Sequence, residues 1–196
     1  MIFPVQSNSL QQQFDMTTPI KTVGVVGLGV MGFDIAFLYA MKGFRTLVYD
    51  AAPATMASLT DRREQTIERL QKRNRIADQE TDNLRTLLIP SSNLNGLAVA
   101  NLVTEAVSEN ARTKLAVYKM LREAGFHGLL TTNTSSVTRA TLLSVGTVDR
   151  HKFALTHFFN PVLYTLEVRV PADVGIDRRL VFAAAVLIAA IEGRQE

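Results

Sequence analysis

The run Gly27-Leu28-Gly29-Val30-Met31-Gly32 carries glycines at its first, third and sixth positions. That spacing suits one task, holding a pyrophosphate against main-chain N–H groups at the start of a helix. The first glycine serves the tight turn, the second the close approach of the phosphates, and the third helix-strand packing. Asp50 stands twenty-three residues after Gly27, near the spacing at which a carboxylate accepts hydrogen bonds from ribose hydroxyls. A 2′-phosphate there would meet like charge, and Ala51 and Ala52 follow with no arginine at hand to receive it. The pattern predicts a dinucleotide site that favours NAD over NADP; the alternative for Asp50 is a carboxylate capping the following turn.

Such a site needs a strand, a turn and a helix in that order, and the flanking residues supply them. Thr22 to Val26 is an apolar, β-rich run ending at Gly27, and Ile35 to Ala40 recurs with helical spacing up to Gly43. Thr46 to Tyr49 reads as the next strand, closing a parallel, right-handed βαβ unit of about thirty residues. Helices are expected from about Pro53 to Arg75, about Asp78 to Leu88, and Asn110 to Ala124. Strands are expected at Asn101 to Ala106, Gly128 to Thr132, Lys152 to His157 and Leu163 to Val170, the last alternating Leu166 and Val168 against Glu167 and Arg169. The fold class is α/β, a Rossmann-type, doubly wound and mostly parallel sheet in a single domain over residues 21–196.

Composition narrows the setting. With 196 residues, 47% of them hydrophobic, the chain can bury one substantial core. It has no cysteine, and its three histidines, His127, His151 and His157, lack zinc spacing, so no metal is indicated. A formal charge of +3 and basic residues without interleaved aromatics give no reason to invoke nucleic acid. Residues 1–20 resemble neither a secretory signal nor an Arg-rich transit peptide and read as a disordered leader, so a cytoplasmic location is the default. The apolar run Leu180 to Ile191 would be a helix of about 18 Å, too short for a bilayer core of about 30 Å. Being apolar all round, it needs cover on more than one face, which another chain or a missing segment would supply.

Three further segments make a resemblance specific: Thr104-Glu105-Ala106-Val107-Ser108-Glu109-Asn110 with Lys114, Asn133-Thr134-Ser135-Ser136, and His157-Phe158-Phe159-Asn160-Pro161. In this order after the glycine motif, they resemble the L-3-hydroxyacyl-CoA dehydrogenase family, over nearly all of Lys21 to Gly193. The resemblance implies NAD as cofactor and an acyl-CoA as substrate, whose 3-hydroxy group is oxidised. It implies cofactor contacts from Gly27 to Gly32, Asp50, Ala106, Glu109, Lys114 and Asn133. Glu109 and Lys114 would lie at the nicotinamide-side ribose and Asn133 beside the nicotinamide. Ser135 would hydrogen-bond the substrate's 3-oxygen, His157 would act as general base, and Glu167 would orient it. Thr66 and Arg73 are the nearest matches to positions that meet the CoA phosphates.

The residue chemistry is consistent with these roles, since alcohol oxidation needs a base near neutral pKa and histidine supplies one. Each residue also has a plainer reading: a structural histidine, a turn-capping Ser135, an exposed helix pair for Glu109 and Lys114, and a solvated basic face for Arg62 to Arg75. Glu167 follows His157 by ten residues, two fewer than the family's interval, so as a strand this stretch would displace the carboxylate by about 6.6 Å. The family's all-helical second domain, which supplies part of the acyl cleft and dimer interface, is absent from the sequence read. That leaves a homodimer or a separate helical partner domain as the expected partner. Two rival functions are a non-catalytic NAD-binding module and a related dehydrogenase acting on a sugar acid.

Overall fold

The computed structural model describes residues 20–165 and 168–169. Six parallel strands run in the order β3-β2-β1-β4-β5-β6, and a short seventh strand pairs antiparallel at the β6 edge. They are β1 (Thr22–Val26), β2 (Arg45–Tyr49), β3 (Leu88–Pro90), β4 (Leu102–Glu105), β5 (Leu129–Asn133), β6 (Phe153–Phe158) and β7 (Val168–Arg169). The strand order reverses between β1 and β4, and an open α/β sheet of this order takes ligands in the crevice at the carboxyl ends of those two strands.

The helices are α1 (Val30–Met41), α2 (Pro53–Ala57), α3 (Leu59–Gln71), α4 (Asp78–Leu87), α5 (Ala111–Glu123), α6 (Arg139–Leu143) and α7 (Val162–Thr165). Helix α1 is buried on nearly every side from Ile35 to Met41, because the sheet lies beneath it and α4 and α7 flank it. That is why its sequence reads as apolar all round rather than as a stripe. Lys42 at its end pairs with Glu80 of α4 at 2.8 Å, both side chains largely covered. The core divides by sheet face. One half gathers α1, α3, α4 and α7; the other gathers α5, α6 and a 3₁₀ turn at Leu94–Val99. Fully covered side chains such as Ile35, Leu84 and Leu97 each contribute about 1.5–3 kcal/mol.

Several expectations are corrected. The helix expected from Pro53 to Arg75 is interrupted at Ser58 and ends at Gln71. The one expected to run to Leu88 ends at Leu87, because Leu88 starts an edge strand whose ladder joins it to Thr46; Pro90 is tolerated at such an edge. The strand expected from Leu163 to Val170 begins instead as helix α7, with Val162 and Leu163 buried against the α1 side of the core. Among the described residues of that stretch, Val168 and Arg169 form strand, opposite Phe158 and His157. A helical turn advances about 1.5 Å per residue, so the interval from His157 to Glu167 is not the strand on which the 6.6 Å displacement was reckoned. Glu167 itself lies outside the described residues, as do the leader and the apolar run Leu180 to Ile191.

Candidate functional site

Each glycine of the motif has its own structural reason. Gly27 has a φ of +88°, and a Cβ there would stand 2.8 Å from the main chain of Ala106 and Val107, so the β1 turn presses directly on the end of β4. A Cβ on Gly32 would collide with the Gly27 carbonyl oxygen, so α1 can dock only without one. A Cβ on Gly29 would meet nothing within 4 Å. The open space is therefore at the second glycine, the position at which the motif leaves room for phosphates. Helix α1 begins there with no side-chain cap and no acidic residue in its first turn, leaving main-chain N–H groups and the helix dipole for an anion. Val30, 70% exposed on that first turn, is an apolar surface beside the gap, and Met31 is half-buried. The residues present fit a bound dinucleotide.

Asp50 caps β2 and reaches across to this turn. Its Oδ2 accepts the Leu28 N–H at 2.7 Å and its Oδ1 the Ala52 N–H at 2.8 Å. The turn-capping reading and the ribose reading are thus compatible, since each oxygen retains a further acceptor site. An arginine does stand nearby, contrary to the expectation from Ala51 and Ala52. Arg62 of α3 donates from Nη1 to the Leu28 carbonyl at 2.8 Å, and its guanidinium carbon lies 4.1 Å from the centre of the Phe33 ring.

Beneath the crevice is a buried ionic cluster that the motifs did not reveal. Glu105, the last residue of β4, and Lys114 of α5 are both wholly enclosed and pair at 2.9 Å. Glu105 Oε1 also accepts the Val107 N–H at 2.7 Å, while Oε2 accepts from Tyr118 at 2.9 Å and Thr132 at 2.6 Å. Burial, with the Glu105 charge beside it, pushes the Tyr118 hydroxyl far above its ordinary pKa. A carboxylate ending an otherwise apolar strand was the available signal, because a buried charge must find a partner. Lys114 is therefore not the exposed helix residue of the plainer reading. Its Nζ also donates to the Asn133 carbonyl at 2.9 Å and stands 3.7 Å from Glu109 Oε2.

Glu109 organises the Asn133-Thr134-Ser135-Ser136 turn. Its Oε1 accepts from Thr134 Oγ1 at 2.6 Å, the Ser135 N–H at 2.9 Å, the Ser136 N–H at 2.8 Å and Ser136 Oγ at 3.0 Å. Partial burial alone would raise this carboxyl's pKa, but the four donors outweigh it and hold the group at about 2. Ser135 is exposed, and among the described residues its side chain makes no hydrogen bond that would spend it as a cap. Asn133 is fixed by accepting the Phe158 N–H on Oδ1 at 3.1 Å. Its strand partner is Thr156, so His157 stands one residue further on, at the carboxyl end of the sheet like the glycine turn. The half-buried imidazole lies 4.8 Å from the Phe159 ring, centre to centre.

Of the two CoA positions, Thr66 is buried in α3 and Arg73 is exposed beyond its end. A cavity of about 360 Å³ lined by Leu121, Arg122, Phe126, His127, Leu130 and Lys152 lies at the opposite, amino end of β5 and β6. It contains none of the residues expected in the site. No helix among the described residues is long and apolar enough to cross a membrane.

Comparison with known proteins matches residues 22–189 to the family described as 3-hydroxyacyl-CoA dehydrogenase, NAD binding domain. Over 147 residues the chain is 33% identical to 3-hydroxyadipyl-CoA dehydrogenase of Escherichia coli, covering 74% of this chain and 31% of that protein. Over 149 residues it is 32% identical to a 3-hydroxybutyryl-CoA dehydrogenase of Mycobacterium tuberculosis, covering 75% of this chain and 52% of that one. The chain thus spans about a third to a half of these relatives. Among solved structures, 3-hydroxybutyryl-CoA dehydrogenase of E. coli superposes with a TM-score of 0.79 at 28% identity, over 89% of this chain and 37% of that one. FadB2 of M. tuberculosis superposes with a TM-score of 0.80 at 27% identity, over 91% and 63%. The glycine cradle, the Asp50 carboxylate and the turn held by Glu109 are thus parts of an NAD-binding domain, and the chain belongs to the 3-hydroxyacyl-CoA dehydrogenase family.

Proposed function

We propose that this chain supplies the cofactor half of an NAD-dependent dehydrogenase that oxidises the 3-hydroxy group of an acyl-CoA. The observation that carries the reading is the placement of His157 next to the Asn133–Thr156 strand pair, with the exposed Ser135 two residues beyond Asn133, at the same end of the sheet as the glycine turn. The main-chain N–H groups at the start of α1 hold the pyrophosphate and Asp50 holds the adenosine-side ribose. Glu109 Oε1 is taken up by the turn, so Oε2 is the oxygen left to accept from the second ribose. NAD held there would supply the acceptor for the hydride that leaves C3. His157 takes the hydroxyl proton, Ser135 hydrogen-bonds the 3-oxygen, and Glu167 is assigned to orient and charge-stabilise the imidazole. Lys114 acts from below, holding the Asn133 carbonyl, and Ala106 forms the floor against Gly27.

The relatives extend well beyond the stretch they share with this chain, so the remainder of the acyl cleft is assigned to further polypeptide, in cis or in trans. Titrating NADH by its fluorescence and then assaying acetoacetyl-CoA reduction with a full-length relative's helical portion added tests the proposal. NADH binding and His157-dependent reduction of the thioester are expected. Failure to bind NADH, or turnover that survives His157→Ala, overturns it.

A further inference from the structure

Among the described residues, Arg62 is the one positive side chain shown bonding to the glycine turn. It approaches from α3, twelve residues beyond Asp50 in sequence, because the chain runs out through α2 and folds back over the start of α1. Three contacts hold the guanidinium: Nη1 to the Leu28 carbonyl at 2.8 Å, Nη2 to the Gly29 carbonyl at an exposed and longer 3.4 Å, and its flat face on Phe33 at 4.1 Å. Leu28 thereby connects the two charges, since its N–H goes to Asp50 and its carbonyl to Arg62. Burial pulls the arginine's pKa down most, while the charges of Asp34 and Asp50 push it up.

A guanidinium has five N–H donors in a rigid fork. The two contacts to carbonyls leave the others for a ligand beside the turn. Asp50 marks the place of the adenosine ribose, and the atom group that distinguishes NADP from NAD is a phosphate on that ribose. Such a phosphate would meet the Asp50 carboxylate and the Arg62 guanidinium together, and bidentate recognition of phosphate is the chemistry at which arginine excels.

We propose that Arg62 is a specificity-determining residue of the cofactor site, offsetting the repulsion by Asp50 so that the chain admits NADP at a smaller penalty than its carboxylate alone would impose. Arg62 has a second effect on both cofactors alike, since it fixes the carbonyls of the turn whose N–H groups face the pyrophosphate. The two effects separate in the ratio of affinities: clamping the turn moves NADH and NADPH together, whereas reading the 2′-phosphate moves NADPH alone.

The inference rests on NAD binding at this site, and the experiment keeps the two apart. Dissociation constants for NADH and NADPH are measured by fluorescence on the 196-residue chain, on Arg62→Met, which keeps length and apolar contact with Phe33, and on Arg62→Lys, which keeps the charge. The expected result is that Arg62→Met weakens NADPH at least fivefold more than NADH. Arg62→Lys should restore part of the difference, and raising salt should weaken NADPH more steeply in the unmodified chain than in Arg62→Met. An NADH to NADPH ratio unchanged in Arg62→Met overturns the inference, whatever happens to the absolute affinities. No NADH binding by the unmodified chain overturns the cofactor reading itself, and the inference with it.

Discussion

Glu105 and Lys114, neither exposed at all, meet at 2.9 Å under the carboxyl end of the sheet, and the same ammonium reaches the Asn133 carbonyl at 2.9 Å. The pair joins β4 to α5, and through Asn133 to β5. Both Glu105 oxygens accept further hydrogen bonds, from Val107, Tyr118 and Thr132, and the ammonium donates to Glu105 and the Asn133 carbonyl with Glu109 3.7 Å away; partners of this kind are what let a buried ion pair be tolerated.

Removing one partner leaves the other charged in a closed core. Lys114→Met is therefore expected to destabilise the domain by about 3–5 kcal/mol, read as a shift of the urea midpoint. The double change Lys114→Met with Glu105→Leu should recover a large part of that loss, because no charge is then stranded. A single variant as stable as the parent would show that the pair is not held as described.

The parts of this site legible in the sequence are those whose spacing is local. Gly27 to Gly32 lies within one turn, and Asp50 ends the next strand, so motif and strand pattern suffice. Arg62 was missed as a neighbour of Asp50 because only the return of α3 over α1 brings it there. For Lys114 the sequence offers a ribose contact or an exposed helix residue and not a buried ion pair, because nothing in its own helix pattern reports that Glu105 lies beneath it. Leu163 fits a strand by apolarity alone, yet it lies in α7, buried with Val162 in the α1 side of the core. Short apolar runs cannot distinguish these outcomes by periodicity.

Glu109 should make the turn at Asn133 to Ser136 acid-sensitive. Its carboxyl is held at about 2, against an ordinary 4.5. The folded value lies below the unfolded one, so the carboxylate's contribution is complete above about pH 4.5 and is lost as pH falls toward 2. Glu109→Gln should remove this contribution, flatten stability against pH across that window and cost about 1–2 kcal/mol at neutral pH. Equal acid sensitivity in parent and variant would count against the four hydrogen bonds.

The proposed function assigns the adenosine-side ribose to Asp50. Asp50→Asn keeps one acceptor oxygen but loses the charge that strengthens its hydrogen bonds, worth about 1.5–3 kcal/mol each. NADH affinity is expected to fall about tenfold or more, about 1.4 kcal/mol corresponding to tenfold, while NADPH loses less because a repulsive charge has also gone. A variant that weakens both cofactors by the same factor would assign Asp50 to the Leu28 and Ala52 turn contacts alone.

The division between binding and chemistry falls at His157. The cradle at Gly29, the Asp50 carboxylate and the Glu109 turn, to which the proposed function assigns the cofactor, all lie within the described residues. Hydride transfer also needs the substrate carbon held about 3–3.5 Å from the acceptor, a positioning worth about 7–11 kcal/mol, and the relatives contain much polypeptide that this chain does not match. The purified chain is therefore expected to bind NADH yet reduce acetoacetyl-CoA slowly. Whatever turnover exists, alone or with a helical portion added, should fall by about 10² to 10⁴ in His157→Ala, with NADH affinity changed less than twofold, because the role proposed for the imidazole is toward the substrate and not the cofactor. Stopped-flow reduction beside fluorescence titration reads both quantities. A variant that loses NADH binding together with turnover would place His157 among the cofactor's supports rather than at the reacting oxygen.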